Sequence, residues 1–384
     1  MDPRFLQMSF QKLWKTHKRR ILGLVIAGIF IIWLGFVKTG FFPFLFQLTF
    51  NRDISLKHSD DHINILLLGT GGGKHEGPNL TDSIIFASID TNNNKVTLVS
   101  IPRDLWVPDL NGRVNIAYSV GEDKRKGAGL LLARSAVSKV LNQPVDYAVR
   151  LNFDGFIQAV DLVGGLDINI DQTFDDYQYP IEGKENDSCG HTDFEIASLS
   201  AQIASGSATE LNSFPCRYFH VHFDKGPLHI DGKTALEFVR SRHAEGDEGS
   251  DFSRSVRQEK IIKAFKDKIL SPQTLFNPVK FVSLYAILKE NIDTDINKNE
   301  FDDFIRLAQK LKNAKIQTAV LDYGDQQKGL PGLLVNPPLS DFNGGWVLIP
   351  RIGNGNFSEI QKYIDCEIKI GNCPISKTPK YSRL

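Results

Sequence analysis

The sequence has no net charge, because 45 Lys and Arg residues stand against 45 Asp and Glu. Without a chain-wide positive field there is no general attraction toward nucleic acid, so none is expected as a partner, and any anion site must arise from local clustering. Cysteine is scarce at four residues in 384, and none falls in a C-x-x-C pair. Cys189, Cys216, Cys366 and Cys373 form two sequence-local pairs, which suits structural disulfides outside the cytoplasm better than a zinc site; buried or free thiols are the alternative. No internal repeat stands out. A Gly-rich loop, GTGGGKHEGPNLT (69–81), follows the strand-like INILLLGT, but it lacks what a phosphate-binding P-loop needs. His75 follows Lys74 where Ser or Thr is required, and the chain continues into a strand rather than a helix.

Long hydrophobic runs are also lacking, with one exception. Residues 21–37, ILGLVIAGIFIIWLGFV, carry no charge and are just long enough to cross a bilayer as a helix. KTHKRR precedes the run and a lone Lys38 follows it, so the positive-inside rule leaves residues 1–20 cytoplasmic and sends the rest across. No small-x-small cleavage site follows, which favours an uncleaved single-pass anchor over a signal peptide. The expected organisation is a transmembrane helix over 21–40, a stalk over 41–61, a main domain over 62–322 and a Gly/Pro-rich C-terminal extension over 323–384.

Within the main domain, SIIFASID (83–90) and KVTLVSIPRD (95–104) are rich in β-branched residues and are separated by TNNN, an antiparallel hairpin signal. Centring the turn near Asn92 and Asn93 pairs position 82 with 103, so Asp82 meets Arg103 and Asp104 at the open end. Helix-like segments (128–141, 153–163) then alternate with strand-like ones (VDYAVRL, GLDINID), two helices are expected in 277–312, and IQTAVLD reads as a strand. This predicts an α/β (α+β) fold, a central mixed sheet flanked by helices. Residues 175–227 are polar and aperiodic and read as an insertion stapled by a disulfide. In the extension, GWVLIP reads as a strand and 357–364 as a short helix.

Arginine is concentrated in one window, EFVRSRHAEGDEGSDFSRSVRQEK (237–260), which holds Arg240, Arg242, Arg254 and Arg257. Guanidiniums this close repel unless an anion sits among them. Asp251, Arg254, Gln258, Ile262, Phe265 and Ile269 form one helical stripe that starts charged and ends apolar. Either the polar half points into a cleft, or the helix overhangs the core and Asp251 is only its N-cap. Arg240 and Arg242 converge only if their helix ends near Val239; the four arginines could then grip one diphosphate. The alternative is solvated arginines paired with Glu245, Asp247 and Glu248.

The ordered motifs TDSIIFASID, SIPRD, VNIAYSVG, VRLNFDGFIQAVDLVGGLDINI, LHIDGKTALEFVRSRH and DFSRSVRQEK resemble the LytR-CpsA-Psr family of envelope phosphotransferases over about residues 62–270. The resemblance implies transfer of a glycopolymer from a polyprenyl-diphosphate carrier to a wall polymer, commonly peptidoglycan, with Mg²⁺ at the diphosphate. It places the motif aspartate on Asp82, the PRD arginine on Arg103, the RxR pair on Arg240 and Arg242, and the helix motif on Asp251, Arg254, Arg257 and Gln258. On this reading Asp82 holds the metal, Arg103 stabilises developing charge, the other arginines grip the diphosphate, and Asp251 and Gln258 orient them. Asp104 as a second metal ligand is inferred from the hairpin alone. The sequence departs from the family at Leu80, where an arginine is common, leaving one phosphate contact missing or supplied by Lys74. Two rival functions use the same residues: a non-catalytic module that binds lipid-linked polymer, and a lipid-diphosphate hydrolase.

Overall fold

The computed structural model describes residues 53–73, 77–325 and 330–376. The expected anchor and Lys74 lie outside these, and among the described residues no helix is long and apolar enough to cross a membrane.

The strands of three or more residues are β1 (His62–Thr70), β2 (Thr81–Asp90), β3 (Lys95–Ser100), β4 (Tyr147–Asn152), β5 (Leu166–Ile170), β6 (Phe174–Pro180), β7 (Tyr218–Phe223), β8 (Gly226–Ile230), β9 (Ile292–Thr294) and β10 (Lys315–Val320). The longer helices are α1 (Ala117–Lys124), α2 (Gly129–Leu141), α3 (Phe153–Val163), α4 (Asp193–Ala204), α5 (Gly232–Arg240), α6 (Asp251–Ile269), α7 (Pro278–Asn291), α8 (Phe301–Lys310) and α9 (Ser358–Lys369). The main sheet runs β9-β4-β1-β2-β3-β10. β1 is antiparallel to β2 and parallel to β4, while β10 joins β3 in parallel. The sheet is therefore mixed and flanked by helices, as the alternating pattern predicts.

The β2–β3 hairpin pairs Ile85 with Ser100 and Asp90 with Lys95. Extending that register brings Asp82 to Arg103, as the centred Asn turn requires. The turn itself is held by Asp90, whose carboxylate accepts from the backbone amides of Asn92 and Asn93 at 2.9 Å.

Three apolar clusters divide the interior. The largest packs β1–β3 against α2 and α9 and includes Leu66, Phe86, Val99 and Leu141. Ile360, Ile364 and Ile368 of α9 belong to it, so the segment read as an extension closes the main core. Its helix is longer than expected because these apolar residues recur every four positions to Ile368. Of GWVLIP, only Ile349 and Pro350 form a strand, paired with Val335 and Leu334. A second cluster gathers α3, α5 and α6 over the β5–β8 and β6–β7 pairs. Gly232 is essential to that packing, since a Cβ there would lie 2.2 Å from the Ile157 carbonyl oxygen.

The polar excursion is more ordered than its composition suggests. Its two ends are strands β6 and β7, paired antiparallel with an irregularity between Asp176 and Tyr179. Between them Cys189 is bonded to Cys216, and Cys366 to Cys373 elsewhere, so both sequence-local pairs are disulfides.

Candidate functional site

A cleft of about 220 Å³ opens where β2, β6, α5 and α6 meet, lined among others by Asp82, Arg103, Arg240, Arg242, His243 and Arg254. This is smaller than the roughly 300–1,000 Å³ of clefts that enclose drug-sized molecules. It suits a compact anion whose substituents leave through the mouth.

Each guanidinium is placed by local structure. α5 ends at Arg240, and Ser241 leaves the helix with φ −52° and ψ 126°, so Arg240 closes the helix, Arg242 lies just beyond it, and both reach the cleft. Asp176 fixes that exit: its Oδ2 accepts from Ser241 Oγ at 2.6 Å and from the amides of Arg242 and His243 at 3.1 and 3.2 Å. The Arg240 guanidinium lies over the Phe153 ring at 4.2 Å and near Tyr179 at 5.6 Å, a cation–π arrangement that orients it. Ser250 caps α6 by accepting from the Ser253 amide, so Asp251 is the first helical residue rather than the cap. The placement of the Asp251 side chain lies outside what the structure describes. One turn on, Arg254 reaches the cleft while only 8% exposed.

Carboxylates alternate with these cations. Arg103 Nη1 donates to Asp82 Oδ1 at 2.6 Å, and Arg240 Nη2 stands 3.9 Å from Asp82 Oδ2. Asp104 is approached by Arg103 Nε at 3.7 Å, by Arg242 Nη2 at 3.8 Å and, at 3.0 Å, by Arg113 Nη1. Arg103 and Asp82 thus sit at the centre of a chain of opposite charges on the cleft wall. Arg113 was not singled out from the sequence.

Two expected site residues differ in role. Arg257 is 3% exposed and is absent from the cleft wall. Its Nε donates to the Phe238 carbonyl, Nη2 to the Ser241 carbonyl, and Nη1 to both the carbonyl and carboxylate of Glu248. It is a strut under the arginine loop rather than a diphosphate ligand. Burial pushes its pKa down to about 10, with Glu248 opposing. The pairing of arginine with Glu248, weighed as the bland alternative for all four, holds for this one. Asp104 is 7% exposed and also off the cleft wall, its oxygens turned to guanidiniums. Gln258 is buried behind the wall and reaches Ser83 Oγ at 3.4 Å.

Asp82 fits a hard divalent cation better than Asp104 does. It lines the cleft, and its Oδ2 stands 3.9 Å from Arg240 Nη2 while Arg103 Nη1 is bonded to Oδ1. Mg²⁺ is commonly held by one or two carboxylates together with substrate phosphates.

His243, Asp176, Ser83 and Gln178 complete features the sequence did not reveal. His243 is exposed at the rim yet sits over dense protein. Desolvation holds its imidazole pKa below the usual value, Asp176 opposing and Arg242 and Arg103 reinforcing the depression.

A mixed sheet carrying a cleft of alternating arginine and aspartate defines an α/β domain built to hold a multiply charged anion. The LytR_cpsA_psr family model matches residues 47–333, and the chain belongs to that family. The TagU polyisoprenyl-teichoic acid–peptidoglycan teichoic acid transferase of Oceanobacillus iheyensis is 26% identical over 359 residues, covering 87% of this chain and 92% of the relative. TagV of Bacillus subtilis, of the same named activity, is 26% identical over 255 residues, covering 65% of this chain and 53% of the relative. The crystal structure of protein gbs0355 from Streptococcus agalactiae matches with a TM-score of 0.52 at 22% identity, covering 84% of this chain and 92% of that one. That likeness establishes the shared fold.

Proposed function

We propose that this protein is a membrane-anchored, extracytoplasmic transferase that moves a glycopolymer from a polyprenyl-diphosphate carrier onto a wall polymer such as peptidoglycan, with Mg²⁺ as cofactor. The observation that carries the reading is the convergence of Arg103, Arg240, Arg242 and Arg254 on one cleft beside the Asp82 carboxylate. A diphosphate is the compact anion that matches four guanidiniums, and family membership supports the polymer chemistry. The apolar, cation-flanked run at 21–37 supports the anchor and the outward orientation.

In this reading an acceptor hydroxyl oxygen forms a bond to the phosphorus nearer the polymer. The bridging P–O bond breaks, and polyprenyl phosphate leaves with its electron pair. Arg240, Arg242 and Arg254 position the diphosphate, and Arg103 meets the charge that develops as the bridging bond breaks, since phosphoryl transfer is mostly positioning and charge stabilisation. Asp82 would hold the magnesium ion, which would supply further neutralisation of phosphate charge. His243, at the rim with its pKa held down and hence neutral at physiological pH, takes the hydroxyl proton.

The test is incubation of the full chain in detergent with a polyprenyl-diphosphate-linked glycan, Mg²⁺ and peptidoglycan fragments. Glycan covalently attached to the fragments, with stoichiometric release of polyprenyl phosphate, is expected. Release without attachment would establish hydrolysis instead, and retention of intact donor would establish a binding module.

A further inference from the structure

A second cluster lies on the antiparallel pair β6–β7, on the face opposite the one that carries Asp176. Two residues apart on β7, His220 and His222 project to one side of the strand, and Asp175 on β6 is the cross-strand partner of His222. His220 Nε2 and His222 Nδ1 both stand 2.7 Å from one oxygen, Asp175 Oδ1. The three donor atoms lie within 4.8 Å of one another.

Both rings are held for this convergence. The outer nitrogen of His222, Nε2, faces Asp224 Oδ1 at 3.3 Å, the arrangement by which an outer carboxylate fixes the ring of a metal-bound histidine. The His220 ring stacks on Tyr177 with centroids 4.2 Å apart and planes 7° from parallel. Asp175 is fixed through its backbone, whose carbonyl accepts from the Glu245 amide at 2.9 Å.

We infer that Asp175, His220 and His222 form a binding site for a divalent transition metal, with zinc the best-matched ion, distinct from the magnesium expected in the cleft. Two imidazoles and one carboxylate are a borderline-soft donor set; three protein ligands leave a fourth, outward position for water or an external ligand. Magnesium prefers oxygen-only ligands and would not compete. An ion here ties β6 to β7 directly behind Asp176, the residue that fixes the exit of the arginine loop. The site therefore clips the outer side of the wall whose inner side faces the cleft, at the two ends of the 181–217 excursion. Little needs to move, since Zn–N and Zn–O bonds of about 2.0–2.2 Å require the three donors to separate only slightly.

The experiment uses the full chain, untagged with histidine, dialysed against Zn²⁺ in excess Mg²⁺, with bound metal counted by elemental analysis and thermal unfolding followed in parallel. One zinc per chain and a raised midpoint are expected. The exposed pair His220→Gln/His222→Gln should lose that equivalent and the midpoint rise while unfolding in metal-free buffer at the wild-type temperature. Asp224→Asn should weaken binding by about tenfold or more through loss of ring orientation. Cobalt in place of zinc should give the visible absorption of a low-coordinate nitrogen–oxygen site in the wild type and none in the double variant. Absence of zinc from the wild type, or an equivalent that persists in the double variant, would overturn the assignment.

Discussion

The two faces of the β6–β7 hairpin use similar residues for opposite ends. On the inner face Asp176 is fully buried, and one of its oxygens is committed to Ser241 and to the amides of Arg242 and His243. On the outer face its neighbour Asp175 is part-exposed and shares a single oxygen between two imidazoles. A buried carboxylate satisfied by its own chain is scaffold; one exposed among donors that converge on it is free for chemistry. The same distinction separates Arg254 from Arg257, three residues apart on α6. Arg254 spends its length reaching the cleft, whereas Arg257 spends its donors on carbonyls of the chain around it.

The largest effect expected from breaking the inner face is at Asp176. Asp176→Ala leaves four donors, Ser241 Oγ and the amides of Gln178, Arg242 and His243, without their acceptor, at about 1–3 kcal/mol for each that stays buried and unsatisfied. The unfolding midpoint should fall by several degrees and transfer should be lost with it; a stable, active variant would remove Asp176 from the scaffold.

The arginine pair sharpens the comparison. Arg257→Met should lower stability by about 2–3 kcal/mol because the carbonyls of Phe238 and Ser241 lose their donor in a buried site. Arg254→Met should weaken donor binding and lower the unfolding free energy less than Arg257→Met does. Denaturant unfolding and donor titration of both variants separate the roles; matching profiles would show that the difference in burial has no functional meaning.

The smallest effect concerns pH. Because the folded state holds the His243 pKa below the value of about 6.5 typical of an unfolded chain, the unfolded chain binds the proton more readily. The stability His243 contributes is therefore complete above about pH 6.5 and is lost as pH falls through the folded value. Activity should follow the same limb, rising with pH and levelling off before neutrality. His243→Gln should flatten this limb in a pH–rate profile, and an unchanged profile would dismiss His243 as the proton acceptor.

What the sequence disclosed depended on how local the cause was. The β2–β3 register, and with it the meeting of Asp82 and Arg103, followed from two β-branched runs and an Asn turn. The helix stripe carrying Arg254 and Gln258 followed from its period, although Ile261, rather than the expected Ile262, is the buried member. Strand β7 also had a readable alternation, YFHVHF, with Val221 and Phe223 inward and the histidines outward. It was obscured by its place in a polar stretch, and its partner β6 by the irregularity at Asp176. The separate fates of Arg254 and Arg257 were not legible, because spacing puts both on one side of α6 and only the packing of Phe238 and Glu248 decides which is enclosed. The surroundings of Asp104 were only half legible: the hairpin brings it to the site, but the contact with Arg113, which immediately precedes the VNIAYSVG motif, depends on tertiary packing that the spacing does not reveal.

Arg103 and Asp82 are expected to act on a bound diphosphate rather than merely to close the cleft. The decisive measurement is single-turnover release of polyprenyl phosphate by the full chain in Mg²⁺, comparing wild type with Arg103→Ala at saturating donor. Release slowed by roughly 10²–10³-fold, with donor affinity changed far less, is the expected result. Release at the wild-type rate would contradict the account.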